Sequence, residues 1–313
     1  MIIRHNKGCL EVGGKTLVMG ILNVTPDSFY DGRKYDDLES ALNHARQMSE
    51  DGADIIDIGG ESTRPGSGYV TADEEIRRVI PVIKELSKET HKPISIDTYK
   101  AVVADKAIEV GAQIVNDISG LQADNEMVRV VAANNTPIII MHIKGQPHDF
   151  PKNPIYDDLI SEIILFFKKK IDFAVKSGIA ENNIIIDPGI GFGKTPLHNL
   201  EILKRLSELK CLNHPVMIGT SRKSFISSIL KISEPARPCP HSPSILLSQE
   251  SAGASSGGRS GGEEGLSKDN SQLVGTLVTL VIAITKGVNI VRVHDVKEAV
   301  QVTKMCRAIE STN

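Results

Sequence analysis

Along this chain, short apolar runs rich in Ile and Val end abruptly in clusters of Asp, Asn, Gly, Ser and Arg, and each cluster gives way to a stretch with helical spacing. Eight such runs stand out: Leu17–Leu22, Asp54–Ile58, Pro93–Ile96, Gln113–Val115, Pro137–Met141, Ile184–Ile186, Pro215–Ile218 and Asn289–Val293. They are continuous rather than alternating, the pattern of parallel strands buried on both faces. In the second unit Ile76, Val79, Ile80, Ile83 and Leu86 share one helix face, and Thr71 with Glu74 supplies a capping box ahead of it. Another helix is expected from Asp157 to about Lys176, stopped by Gly178. Leu273–Ile284 reads as a buried helix, short of the roughly 20 residues a membrane span needs. Eight strand-then-helix units predict an α/β fold, the (β/α)8 barrel, typically ~250 residues long. The rival, a doubly wound open sheet, lacks its GxGxxG after the first strand.

One segment breaks the rhythm. Residues 233–272 contain 20 Ser, Gly or Pro among 40. That composition buries too little apolar surface to offset its ordering entropy, so disorder is expected there. The segment falls inside the seventh βα unit, after a helix start at Ser221–Leu230. Residues 1–313 are thus read as one barrel domain carrying an insertion at 233–272.

Composition narrows the function classes. A net charge of −3 gives no general nucleic-acid footprint. The four cysteines are scattered and form no CxxC pair, and the nine histidines form no HxxxH pair. A disulfide framework or a zinc site is not expected, and a reducing cytoplasm fits. The opening residues, MIIRHNKG, contain no apolar signal region.

In a barrel, chemistry gathers at the C-terminal ends of the strands. The first strand delivers Asn23, Thr25, Asp27 and Asp31, and the second carries Asp57 followed by GGESTRPG. Asp97 and Thr98, Asn116 and Asp117, then Met141 and His142 follow the next three. Asp187 precedes PGIGFGK, GTSRKS follows the seventh strand, and Arg292, His294 and Asp295 close the series. Two sub-sites result. Asp57, Asp97, Asn116 and Asp187 suit a flat heterocycle with several N–H donors, since a carboxylate accepts two parallel hydrogen bonds from a ring N–H and its neighbouring amino group. Asn23, Ser62, Thr63, Arg64, Arg292 and His294 suit phosphate oxygens. The ligand expected therefore has a donor-rich ring at one end and a phosphate at the other. No Ser/His or Cys/His pairing stands out as a nucleophile system. Plainer roles stand beside these: Asp57, Asp117 and Asp295 as turn formers or caps, His142 as a core histidine, and Met141 as wall.

The motifs NVTPDSF (23–29), DIGGESTRPG (57–66), IDT (96–98), NDISG (116–120), DPGIGFGK (187–194), GTSRKS (219–224) and RVHD (292–295) resemble those of dihydropteroate synthase, in the family's order. The resemblance runs from about Lys15 to Ile309, apart from the insertion. It implies the same barrel and a step of folate biosynthesis blocked by sulfonamides. In that step 4-aminobenzoate and 6-hydroxymethyl-7,8-dihydropterin diphosphate yield 7,8-dihydropteroate and diphosphate. It implies pterin contacts for Asp97, Asn116, Met141, Asp187, Lys223 and Arg292. Asn23 and His294 would hold the diphosphate, Asn23 together with Mg2+. Ser62, Thr63 and Arg64 would belong to the anion and aminobenzoate loops, and Phe29, Pro65, Phe192 and Ser224 would shape the aminobenzoate pocket. Asp31 would face the cationic centre, and Asp31, Asp97, Lys223, Arg292 and His294 form the catalytic set. The partners implied are these small molecules and a second copy of the chain, with no nucleic acid and no membrane. A methyltransferase module on the same barrel would lack the TPDSF loop and SRKS. A non-catalytic pterin-binding scaffold would not need the intact Asn23, Lys223, Arg292 and His294. The sequence departs from the family at Tyr30 and Arg33, at Lys144, and most of all in the insertion.

Overall fold

The computed structural model describes residues 1–5, 8–24, 34–62, 68–147, 149–151, 153–232 and 268–312. The eight expected strands are all present: β3 (Leu17–Asn23), β4 (Ile55–Gly59), β5 (Ile94–Asp97), β6 (Ile114–Asp117), β7 (Ile138–Met141), β8 (Ile184–Asp187), β9 (Met217–Ile218) and β10 (Ile290–Val293). They form one parallel sheet in the order β8-β7-β6-β5-β4-β3-β10-β9. A parallel bridge between Ile186 and Val216 joins the two edges, and the Ile186 amide donates to the Pro215 carbonyl at 2.9 Å. The sheet thereby curls into a barrel. Helices α1 (Lys34–Glu50), α2 (Ala72–Glu89), α3 (Ala101–Val110), α4 (Met127–Ala133), α5 (Leu159–Lys176), α6 (Pro196–Arg205), α7 (Ser224–Ile232), α8 (Lys268–Thr285) and α9 (Val296–Glu310) surround it.

Strand residues alternate between two cores, as a period of two requires. Val18, Ile56, Ile96, Val115, Ile140 and Ile186 face the helices. Met19, Ile55, Ile114, Ile139, Ile185 and Ile290 fill the barrel interior. An antiparallel hairpin that hydrophobic patterning did not reveal, β1 (Ile2–His5) with β2 (Gly8–Glu11), adds Ile3 and Leu10 to that interior cluster. It covers the N-terminal end of the barrel, with Ile3 and Leu10 packed on the inward-facing strand residues.

Several boundaries move for local reasons. Thr71 caps α2 by accepting the Glu74 amide at 3.3 Å, but the return half of the expected box is missing because the Glu74 carboxylate pairs with Arg77 and Arg78. α5 starts at Leu159 because Asp158 caps it, accepting the Ser161 amide at 2.9 Å. Gly178 ends it with φ +100°. α7 begins at Ser224, not Ser221, since Arg222 adopts φ +56° and makes a turn. Of the 233–272 segment, residues 233–267 lie outside the described residues, and 268–272 belong to α8 rather than to a structureless insertion. Gln272 Nε2 donates to Ser227 Oγ at 3.2 Å, which ties this first turn to α7. Leu273–Ile284 is helical but not buried all round. Thr276, Leu280, Ala283 and Ile284 face inward, whereas Val274, Val278, Val281 and Ile282 are exposed.

Candidate active site

The floor of the open end is built by the last inward-facing residues of five strands. Parallel register sets Gly59 beside Asp97, Asp97 beside Asn116, and Met141 beside Asp187. Arg292, from β10, reaches across: Nε donates to Asp57 Oδ2 at 2.6 Å and Nη2 to Asp97 Oδ2 at 2.5 Å. Asn116 Nδ2 donates to the same Asp57 oxygen at 3.1 Å. One guanidinium thus fixes two carboxylates and, through Asp57, an amide. Asp57 Oδ1 and Asn116 Oδ1 are buried acceptors with no donor among the described residues. Asp187 Oδ1 accepts the Gly189 amide at 2.7 Å, which aims the carboxylate along the floor.

Burial tunes these charges. It pushes Asp97 up to about 7, opposed by the neighbouring Arg292. It also raises Asp187, opposed by the Gly189 amide and by Lys223. Lys223 falls to about 8, through burial first and then the Arg292 cation. Arg292 is driven the other way, held as a cation by Asp57 and Asp97 against its own burial.

The cavity above this floor has a volume of about 280 Å³. Its walls are apolar: Ile21, Ile118, Met141, Phe150, Ile190 and Phe192. The Lys223 ammonium lies 4.1 Å from the centre of the Phe192 ring, a cation–π contact. Phe150 meets Phe192 edge to face at 5.6 Å. Gly189 has φ +68°, and a Cβ there would fall 2.0 Å from the His142 carbonyl, so the β8 loop lies directly against the β7 loop.

The rim is polar. Asn23, Ser62, Ser221, Arg222, Ser224 and His294 line it. Ser221 Oγ lies 3.1 Å from His294 Nδ1 and accepts the His294 amide at 3.2 Å. The structure therefore contains a Ser/His pairing that the sequence reading did not identify. Arg222 turns outward onto Asp295. Helix α8 braces this loop: Thr276 Oγ1 accepts the Arg222 amide at 3.2 Å, and Thr279 Oγ1 donates to Thr220 Oγ1 at 2.8 Å.

Of the residues expected at the site, Asn23, Ser62, Asp97, Asn116, Met141, Asp187, Phe192, Lys223, Ser224, Arg292 and His294 line this single cavity. Phe29, Asp31, Thr63, Arg64 and Pro65 lie outside the described residues, as do Tyr30 and Arg33. Asp117 shapes a turn instead, accepting the amides of Ser119 and Leu121 at 2.8 Å each. His142 is a core histidine, pushed down to about 2 by burial and then by the Lys194 cation 2.9 Å from its Nδ1. Lys144 is directed away from the cavity, onto the Tyr156 ring at 3.9 Å and towards Glu162 at 3.4 Å. Two further residues matter that the pattern did not single out. Glu61 lines the cavity and is held by Lys100, which also bonds buried Glu75 at 2.6 Å. Ser221 matters through His294, as above. A signal for Glu61 existed, since it sits between Gly60 and Ser62 in the loop already selected. No group of three or more His, Cys, Asp or Glu among the described residues forms a metal cage.

Comparison with known proteins agrees with this geometry. Residues 19–294 match the model of the pterin binding enzyme family. The chain is 43% identical over 308 residues to the dihydropteroate synthase of Bacillus subtilis strain 168, covering 98% of this chain and 93% of that protein. Among solved structures, the Clostridium difficile dihydropteroate synthase determined in the presence of pteroic acid superposes with a TM-score of 0.80 at 42% identity, over 97% of this chain and 100% of that one. The Yersinia pestis dihydropteroate synthase in a sulfonamide drug complex gives 0.82 at 36% identity over 100% of both chains. With its barrel, its acid floor and its motifs in order, the chain belongs to the pterin binding enzyme family and, within it, to the dihydropteroate synthases.

Proposed function

We propose that the chain joins 4-aminobenzoate to 6-hydroxymethyl-7,8-dihydropterin diphosphate, releasing diphosphate and forming 7,8-dihydropteroate for folate biosynthesis. The observation that carries this reading is that one cavity holds an acceptor-rich floor (Asp97, Asn116, Asp187), the Arg292 guanidinium laid across it, and a rim with hydrogen-bond donors (Asn23, Ser62, His294). Asp187, helped by Asn116, accepts the N–H groups of the pterin's pyrimidine edge, and Lys223 donates to the opposite edge. Met141 and Phe192 flank the ring. Arg292 spends two of its five N–H donors on Asp57 and Asp97, leaving the others and its flat face for the ring and the diphosphate.

Donation from the electron-rich pterin breaks the C–O bond to diphosphate and leaves a delocalised cation. Charge developing on the departing oxygens is met by His294, Arg292 and Asn23. Asp97 and Asp31 oppose the cation. The aniline nitrogen of 4-aminobenzoate then attacks the methylene carbon, the C–N bond forms, and the nitrogen loses a proton. Phe29, Thr63, Arg64, Pro65 and Ser224 are proposed to place the aminobenzoate and to keep water out. Mg2+ would be held by Asn23 together with substrate oxygens and water. A single hard amide oxygen at a strand end, on the cavity rim, fits an ion that arrives with the diphosphate. When bound it would neutralise diphosphate charge.

A homodimer is proposed, supported by the apolar exposed face of α8 and by Met305 and Ile309 on α9. A cytoplasmic location is proposed from the free thiols of Cys9, Cys211 and Cys306. Among the described residues no helix is long and apolar enough to cross a membrane. Incubating the purified protein with both substrates and Mg2+ tests the reaction. Dihydropteroate and diphosphate should appear one for one, and absence of both products would overturn it.

A further inference from the structure

We propose that Ser221 is a positioning residue that holds His294 in the tautomer with its proton on Nε2, so that the imidazole meets the departing diphosphate as a neutral N–H donor. The diphosphate half of this statement rests on the function proposed above; the tautomer does not.

The geometry starts from strand register. β9 pairs with β10 as Met217 to Ile290 and Ile218 to Val291, and then the β9 backbone leaves the sheet. Continuing the same offset sets Ser221 opposite His294 and Arg222 opposite Asp295. Side chains take over the ladder at these two rungs. The Ser221 hydroxyl oxygen accepts the His294 backbone amide at 3.2 Å, where a strand carbonyl would otherwise serve. Arg222 Nε donates to Asp295 Oδ2 at 3.1 Å on the next rung. The left-handed turn at Arg222, φ +56°, lets consecutive side chains point to opposite sides of the loop.

Donor accounting then assigns the proton. Ser221 is 5% exposed, at the rim of the cavity, and a hydroxyl so enclosed is expected to use an acceptor that the protein provides. Among the described residues the two atoms it meets are the His294 amide nitrogen, which is a donor, and His294 Nδ1 at 3.1 Å. The hydroxyl proton therefore goes to Nδ1, which must carry a lone pair, and a neutral imidazole then holds its own proton on Nε2. The reverse bond, Nδ1–H to Oγ, would turn the hydroxyl proton away from the one acceptor the described residues offer it, towards the cavity. An Nε2–H group gives one directed hydrogen bond to a phosphate oxygen. Ser221 acts through the ring, by holding it in this state.

Two readouts test this. In 15N-histidine-labelled enzyme, with His294 identified by its loss in His294→Gln, long-range 1H–15N spectra should show Nδ1 unprotonated and Nε2 protonated. In Ser221→Ala the two tautomers should mix. Losing one neutral hydrogen bond to the ring should lower kcat by about 5–10-fold with KM for 4-aminobenzoate unchanged. Ser221→Thr keeps the hydroxyl and should stay within about twofold of the parent. A wild-type His294 protonated on Nδ1 overturns the proposal, as does an alanine variant with unaltered spectrum and kcat. If the alanine variant does not fold, the wild-type spectrum decides. A wild-type protein that makes no dihydropteroate would defeat the synthase reading while leaving the spectrum to judge the tautomer.

Discussion

Asp187→Asn replaces one oxygen by an NH2 group without changing the shape of the side chain. The oxygen that accepts the Gly189 amide at 2.7 Å can be retained, so the β8 loop should keep its path. What changes is the edge offered to the pterin. A carboxylate takes two N–H donors, whereas the amide would set its own N–H against one of them. Each hydrogen bond to a charged partner is worth about 1.5–3 kcal/mol. Burial already makes the Asp187 charge costly, as its raised pKa records, so the net loss should lie near the low end for two bonds, about 3 kcal/mol. That is a weakening of about 100-fold, because each 1.4 kcal/mol is about tenfold. Isothermal titration with a pterin ligand at mildly alkaline pH measures it, and urea unfolding should show stability unchanged or raised once a buried charge is removed. Pterin affinity within about threefold of the parent, in a folded variant, would refute the assignment of Asp187 as the charged acceptor.

Pterin affinity should fall as pH drops through about 7, because ligand N–H groups need the ionised carboxylates, Asp97 is pushed up to about 7 and Asp187 is also raised. Titration calorimetry from about pH 5 upward would show the affinity gained as pH rises through that value and lost below it, with Lys223, lowered to about 8, setting the alkaline limit. Gly189→Ala should cost at least about 3 kcal/mol in urea unfolding, since the new Cβ would meet the His142 carbonyl at 2.0 Å in a backbone with φ +68°. Ile3→Ala should cost about 2–5 kcal/mol by the same assay, because Ile3 is fully buried in the interior of the barrel. Val278→Glu, at a 57% exposed position on α8, should shift sedimentation velocity from dimer to monomer with monomer stability unchanged.

Most of the fold could be read in the chain because its strands are uninterrupted apolar runs, such as Ile138–Met141 and Ile184–Ile186, that give way at once to a polar residue, here His142 and Asp187. The hairpin at the N-terminus leaves little trace in the sequence because IIRH and GCLE are four residues each, with a single buried apolar residue in each strand. Leu273–Ile284 reads as wholly buried because apolar residues fall on both faces of the helix, so periodicity does not separate the packed face from the exposed one. Site residues were visible one by one as strand-end polar groups, but their pairing was not. Arg292 and Asp57 are 235 residues apart, and Ser221 and His294 are 73 apart. Only strand order and register bring such pairs together. Asp117 and Asp57 illustrate the limit: each is an Asp in or beside an apolar strand run, yet Asp117, the last residue of β6, closes a turn, and Asp57, two residues before the end of β4, anchors the floor.

The most direct measurement is a crystal structure of the protein soaked with the pterin diphosphate in the absence of 4-aminobenzoate. The ring should lie with its nitrogen-rich edge on Asp187 and Asn116, and the diphosphate should reach Asn23 and His294 within the same cavity. A ring bound elsewhere, or a diphosphate directed away from His294 and Arg292, would contradict the account.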